Sequence, residues 1–167
     1  MLFYCMIICT EQVMSFSCLF CFFQTTKITT TCLQLVLLSQ RNSYKCEEAT
    51  IQIKGKLKSV ILDSCKKTNL VFESAISSCE VVNCKSVQIQ STGVCPSFSI
   101  DKTDGCLIYL SQEAVSVSSF VTSKSTEMNV SWEDRESGEQ KEAPIPEQFI
   151  HRLKNGAVTS EVSDLYH

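Results

Sequence analysis

An all-β coil of stacked short rungs is the architecture this sequence predicts, and three observations predict it. Short segments of strand length with alternating apolar residues follow one another from Ile51 to Leu110, and their period of two is that of half-buried strands. Cys46, Cys65 and Cys84 recur every nineteen residues, with Cys106 twenty-two further on. A period near twenty is that of a β-solenoid, in which equivalent side chains stack in columns. The chain of 167 residues has only five glycines and three prolines, few for the tight turns of an antiparallel sandwich. That sandwich, with strands at eight- to twelve-residue spacing, stays open as the rival.

Residues 1–43 are set apart as an atypical, poorly ordered leader. Met1 to Phe23 is mostly apolar but has no basic start and is interrupted by Glu11 and Gln12. It contains no uncharged apolar run of about 18 residues, so no membrane span is expected. A membrane-targeting role is the alternative for this stretch. Cys18 and Cys21 form a CxxC without a second pair or a nearby His, so a zinc site is not expected.

The ladder follows. Its segments are Ile51-Gln52-Ile53-Lys54, Ser59-Val60-Ile61-Leu62-Asp63, Leu70-Val71-Phe72-Glu73 and Cys79-Glu80-Val81-Val82-Asn83. Val87-Gln88-Ile89-Gln90, Ser97-Phe98-Ser99-Ile100 and Leu107-Ile108-Tyr109-Leu110 complete it. The eleven cysteines are odd in number and do not read as a disulfide framework. They are expected to be reduced, acting in the ladder as small buried apolar side chains.

Past the ladder, Glu133 to Glu142 is charged and reads as a hairpin loop. Ala143-Pro144-Ile145-Pro146 is extended, because proline biases its predecessor away from helix. Residues 146–153 are expected to form a short helical turn that packs Phe149 into the core. Asn155-Gly156 is a turn signal, and 157–162 is a final strand.

Charge excludes some functions. The net charge of −3 and pI near 5.4 do not fit a nucleic-acid binder. Locally, Lys45, Lys54, Lys56, Lys58, Lys66 and Lys67 outnumber Glu47, Glu48 and Asp63, a strip able to meet an acidic partner. The only histidines, His151 and His167, lie in the tail. No nucleophile–base arrangement and no glycine-rich phosphate loop is present.

Taken in order, Tyr44-x-Cys46, Ile51-Gln52-Ile53-Lys54-Gly55-Lys56, Asp63-Ser64-Cys65-Lys66-Lys67 and Leu70-Val71-Phe72 resemble the C-terminal domain of cyclase-associated protein. So do Glu80-Val81-Val82-Asn83, Val87-Gln88-Ile89-Gln90 and Ile100-Asp101-Lys102-Thr103-Asp104-Gly105-Cys106. Tyr109-Leu110-Ser111, Ser123-Lys124-Ser125-x-Glu127-Met128-Asn129-Val130 and Pro146-Glu147-Gln148-Phe149 continue the match. The resemblance covers about residues 44–165 and sets the domain at 44–167.

It implies a right-handed parallel β-helix with a C-terminal β-hairpin that mediates dimerisation. It further implies binding of ADP-loaded monomeric actin and promotion of nucleotide exchange, without cofactor or enzymatic chemistry. The implied actin-binding residues are Lys54, Lys56, Lys58, Lys66, Lys102 and Asp104. Those implied in dimerisation are Glu127, Met128, Asn129, Val130, Val158 and Val162. Adenylyl cyclase is a further implied partner, and a cytoplasmic, cytoskeleton-associated location follows. Set against the resemblance, the first one or two strands of the family's β-helix are expected to be missing, with residues 1–43 in their place. Two alternatives remain. One is an inactive truncated fragment. The other is a regulator of a GTPase resembling tubulin-folding cofactor C, which works through an arginine; this chain has only Arg41, Arg135 and Arg152, all outside the ladder.

Overall fold

The computed structural model describes residues 6–10, 29–32 and 40–164. Thirteen strands and no helix are found among them. In chain order they are β1 (Met6–Thr10), β2 (Thr29–Cys32), β3 (Gln40–Tyr44), β4 (Thr50–Asp63), β5 (Asn69–Val82), β6 (Lys85–Ser91) and β7 (Ser97–Asp101). Then come β8 (Asp104–Leu110), β9 (Ser119–Ser123), β10 (Thr126–Glu133), β11 (Gln140–Pro144), β12 (Phe149–Lys154) and β13 (Ala157–Val162).

The ladder closes as a parallel β-helix. One long face stacks β2, the first part of β4, the first part of β5, β6, β8 and β10, all in parallel. The second stacks β3, the second part of β4, the second part of β5, β7 and β9. A short edge joins the second face of one rung to the first face of the next, through the bridges Glu47↔Lys66 and Lys66↔Lys85. The sandwich is therefore excluded. At the ends of the coil, β1 pairs antiparallel with β3, and β11 pairs antiparallel with β10.

Alternation along each strand explains the core. Ile51, Leu70, Ile89, Ile108 and Val130 are successive register partners on the first face, and all are buried. On the second face Val60, Cys79, Phe98 and Phe120 stack. The rings of Phe98 and Phe120 lie 5.5 Å apart and nearly parallel at 16°, an offset-stacked aromatic pair.

The expected segments merge pairwise. Residues 51–54 and 59–63 belong to the single fourteen-residue β4, and 70–73 and 79–83 to β5 apart from Asn83. The register shifts between β4 and β5 mark the corner at residues 54–58. There Gly55 takes φ +91°, a backbone that only glycine adopts without strain.

Left-handed residues turn the chain at both ends of the short edge. Lys45, Ser64, Asn83, Lys102 and Lys124 form one such column, with φ between 49° and 57°. Glu48, Lys67, Ser86, Gly105 and Glu127 form the other, with φ from 46° to 79°. Each column repeats at nineteen residues three times and then at twenty-two. The three extra residues lie in the corner before β9, where the amide N–H groups of Ala114 and Ser118 donate to Ser111 O (3.0 Å) and Ala114 O (2.8 Å).

Between these columns the short edge carries an inward column that corrects the expected cysteine series. Its members after Cys46 are Cys65, Cys84, Thr103 and Ser125. The Cys65 N–H donates to Cys84 Sγ (3.4 Å), the Cys84 N–H to Thr103 Oγ1 (3.3 Å) and the Thr103 N–H to Ser125 Oγ (3.1 Å). Each side chain in turn donates to the carbonyl two residues earlier: Asp63 O, Val82 O, Asp101 O and Ser123 O. Thr103, not Cys106, is the fourth member, because a hydroxyl satisfies the same buried N–H and C=O groups. Cys106 stands on the first long face between Val87 and Met128.

The thiols behave as buried groups. Cys65, Cys79, Cys84, Cys95 and Cys106 are free and buried, as expected of reduced thiols in the ladder. The hydrogen bond with the Cys84 side chain lowers Cys65 below the ordinary thiol range, and the same bond together with burial raises Cys84. Burial pushes Cys95 to about 11 and Cys106 to about 12.

The tail differs from its expectation. Residues 149–154 are a strand, not a helical turn, and pair with β13 from Phe149↔Val162 to Lys154↔Ala157. The two-residue Asn155-Gly156 turn sets this register, and the β pairing takes up the backbone groups that a helical turn would have used. Phe149 is 47% exposed and Leu153 76% exposed, so neither belongs to the core. The leader expected at residues 1–43 lies for the most part outside the described residues. Those that are described include β2 and β3, which extend the parallel ladder below β4.

Candidate functional site

The short edge is where the coil concentrates charge. Along its centre run Glu47, Lys66, Lys85, Asp104 and Thr126, successive bridge or register partners. The left-handed columns add Lys45, Lys102 and Lys124 on one side and Glu48, Lys67 and Glu127 on the other. A left-handed turn directs these side chains away from the packed interior, so long charged residues are tolerated there. Six lysines thus face four carboxylates on one surface of a chain whose net charge is −3.

Three ion pairs cross or flank the edge. Lys67 Nζ is 3.2 Å from Glu48 Oε1, Lys85 Nζ 2.8 Å from Asp104 Oδ2, and Lys102 Nζ 3.6 Å from Asp101 Oδ2. All three lysines are well exposed, and pairs so open to solvent contribute little to stability. Thr126 Oγ1 donates to Asp104 Oδ1 at 3.2 Å. The Lys85 ammonium holds the Asp104 carboxyl below the usual carboxylate range, with Thr126 adding to the effect, and Asp104 raises Lys85. Lys45 Nζ lies 5.0 Å from the centre of the Tyr44 ring, within cation–π range.

The six residues expected in one binding surface fall into two groups. Lys66, Lys102 and Asp104 lie on the short edge. Lys54, Lys56 and Lys58 are exposed but occupy the corner between the two long faces, where the Gly55 N–H donates to Glu73 Oε2 at 2.8 Å. In each rung the short edge joins the far ends of the two faces, so this corner lies across the coil from it. Lys45 belongs to the basic strip read from the sequence, whereas Lys85 and Lys124 were missed by sequence reasoning. The ladder period could have found them: Lys85 is nineteen residues after Lys66, and Lys124 twenty-two after Lys102.

The residues expected in dimerisation also divide. Met128 is 1% exposed, and its backbone C=O accepts the Ile145 N–H at 2.8 Å. Val130 is 7% exposed. Both face the coil interior, as alternate positions of a strand must when one face is the core. Glu127 is exposed at the end of the short edge, and Asn129 Nδ2 donates to Glu142 Oε1 at 2.6 Å. Val158 and Val162 sit on the β12–β13 hairpin, cross-strand from Leu153 and Phe149. These four share one face of the hairpin and are 45% to 76% exposed. Among the described residues, β12 and β13 pair only with each other.

Beside the hairpin's root an apolar groove of about 380 Å³ opens at the end of the coil. Leu110, Val115, Phe120, Trp132 and Ile145 line it, and Val130 reaches its floor. Among the described residues no group of three His, Cys, Asp or Glu side chains could hold a metal ion. No helix among them is long and apolar enough to cross a membrane.

Parallel rungs, a charged short edge and a hairpin standing off the coil define a domain of the β-helix class. The chain belongs to the adenylate cyclase associated (CAP) C terminal family, whose model matches residues 25–165. That match begins inside the 1–43 stretch set apart in the sequence. Two similar relatives are an adenylyl cyclase-associated protein of Dictyostelium discoideum and adenylyl cyclase-associated protein 2 of Homo sapiens. The first is 49% identical over 119 residues, which cover 71% of this chain and 25% of the relative. The second is 49% identical over 122 residues, covering 73% and 25%. The chain therefore spans about a quarter of the length of these relatives. A crystal structure of cyclase-associated protein from Cryptosporidium parvum resembles it with TM-score 0.66 and 35% identity, over 70% of this chain and 72% of that one.

Proposed function

We infer that this domain binds ADP-loaded monomeric actin and promotes exchange of its nucleotide, in the cytoplasm and without bond chemistry of its own. The observation that carries this reading is the lysine-rich short edge, borne by a member of the CAP C terminal family. Actin is acidic, and a basic strip on an otherwise acidic chain steers it toward such a partner. Exchange follows if the domain prefers the open, nucleotide-releasing form of actin, since differential affinity alone shifts that population.

Lys66, Lys102 and Asp104 share one surface and can meet one partner together. Lys54, Lys56 and Lys58 would need a second contact or a partner that wraps the coil. Release of a fluorescent ATP analogue from actin, with the purified chain added, tests the reading. Faster release supports it, and an unchanged rate with a folded chain removes it.

A homodimer belongs to the same reading. The exposed apolar face of Phe149, Leu153, Val158 and Val162 matches in character the open groove lined by Phe120 and Trp132. A hairpin exchanged between two copies would cover both. Sedimentation at micromolar concentration is expected to show a dimer, and monomer alone would refute it. Adenylyl cyclase, which the relatives carry in their names, extends the reading to a further partner that co-precipitation can test.

A further inference from the structure

We propose that Asn155 is a site of spontaneous deamidation, converting to isoaspartate in the folded protein and loosening the β12–β13 hairpin. The reaction needs a backbone nitrogen free to attack the side-chain amide of the preceding residue. The chain holds Asn42, Asn69, Asn83, Asn129 and Asn155, and only Asn155 precedes a glycine. Glycine matters because no Cβ shields its nitrogen. Asn155 and Gly156 are both exposed and form the two-residue turn between the paired Lys154 and Ala157. Their φ angles are +50° and +76°, and apart from Gly156 itself and its chain neighbours Asn155 and Ala157 no atom lies within 4 Å of where a Gly156 Cβ would stand.

In such a turn the second residue's N–H lies outside the ladder, so no strand hydrogen bond must break before attack. Because β12 and β13 pair only with each other among the described residues, opening the tip disturbs nothing else. Loop tips of this kind are where local opening concentrates.

The atoms balance with water alone. The Gly156 nitrogen gives its proton to solvent and bonds to Asn155 Cγ, and the Cγ–Nδ2 bond breaks, releasing ammonia. Water then opens the resulting succinimide. Attack at Cγ yields aspartate. Attack at the main-chain carbonyl yields isoaspartate, whose backbone runs through the side chain and is longer by one carbon. That carbon lengthens a two-residue turn whose register depends on its length, so the Lys154↔Ala157 pair is expected to open first.

The test is peptide mapping by mass spectrometry of the full chain, aged at mildly alkaline pH in the folded state and in urea. The expected result is loss of the Asn155 amide in the folded chain faster than at the other four asparagines, with isoaspartate in excess over aspartate. In hydrogen exchange the aged chain is expected to lose protection over 149–162, and an Asn155→Gln chain treated alike should keep it. Conversion in urea but not in the folded chain would overturn the proposal, because the turn would then be protecting the amide. Unchanged protection after conversion would overturn the claimed loosening. Neither readout requires actin.

Discussion

Replacing Ser86 by glycine is expected to stabilise the protein, and replacing it by valine to destabilise it. Ser86 has φ 52° and is exposed, and it occupies the left-handed column that continues into Gly105. Holding a non-glycine residue left-handed costs about 1–2 kcal/mol. Glycine removes that strain but widens the unfolded ensemble, which returns about 0.4–1 kcal/mol. The net gain for Ser86→Gly is about 0.5–1 kcal/mol. At roughly 2–4 °C per kcal/mol for a domain of this size, Tm should rise by about 1–4 °C. Valine adds a β-branch that a left-handed backbone tolerates poorly, so Ser86→Val should lose about 1 kcal/mol or more.

Gly105→Ala supplies the converse. Its φ is +79°, and the new Cβ would lie 3.4 Å from Ser86 Cα, so it should destabilise. Urea titration with an unchanged m-value is the assay, since a constant slope isolates stability from changes in compactness. If Ser86→Gly weakened the fold while Ser86→Val left it intact, the chain would not turn left-handed there. The two-column account of the short edge would then fail.

Other expectations follow from packing and titration. Gly93→Ala should cost about 1–3 kcal/mol, because its Cβ would sit 2.8 Å from Glu73 O and 2.2 Å from Ser74 Oγ; chemical unfolding measures it. Phe98→Ala should cost about 3–5 kcal/mol, since Phe98 is fully buried against Phe120. Stability should also fall in alkali. Cys95 and Cys106 have folded pKa values raised to about 11 and about 12. The unfolded chain therefore loses these protons first, near the ordinary thiol value of about 8.5, and stabilisation is lost as pH rises from there through 11 and 12. A Cys106→Ala chain should show a flatter profile between about pH 9 and 12 in thermal melts.

How much of this was legible in the sequence depends on whether the signal was periodic. The strands with one buried face announced themselves by alternation, and nineteen-residue recurrence separated a coil from a sandwich. The same recurrence misled at its fourth step. Counting cysteines alone passed over Thr103, which fills the column because the site requires a donor and acceptor of small size, not sulfur. The breaks expected inside β4 and β5 were not visible as continuous strands, because a corner that keeps its ladder bonds looks locally like a turn.

The tail failed for a related reason. Residues 149–153 place apolar side chains at i and i+4, which fits both a helical turn and one face of a strand. Only pairing with β13 decides between them. Lysine clustering was visible as composition but not as geometry. Lys54 and Lys66 are near in sequence yet lie across the coil from one another, whereas Lys66 and Lys85 are far apart in sequence and stack as neighbours. Met128 and Val130 matched a motif that implied a contact surface, but alternation turns them inward.

The most direct test of the functional reading is the rate at which ADP-actin takes up a fluorescent ATP analogue, measured with the native chain and with a Lys66→Glu, Lys102→Glu double variant. Both positions are exposed, so the variant should fold with unchanged Tm. The account predicts that the native chain accelerates exchange and that reversing these two charges abolishes most of the acceleration. Equal acceleration by both chains would contradict the assignment of the short edge as the actin-facing surface, and no acceleration by either would contradict the proposed function itself.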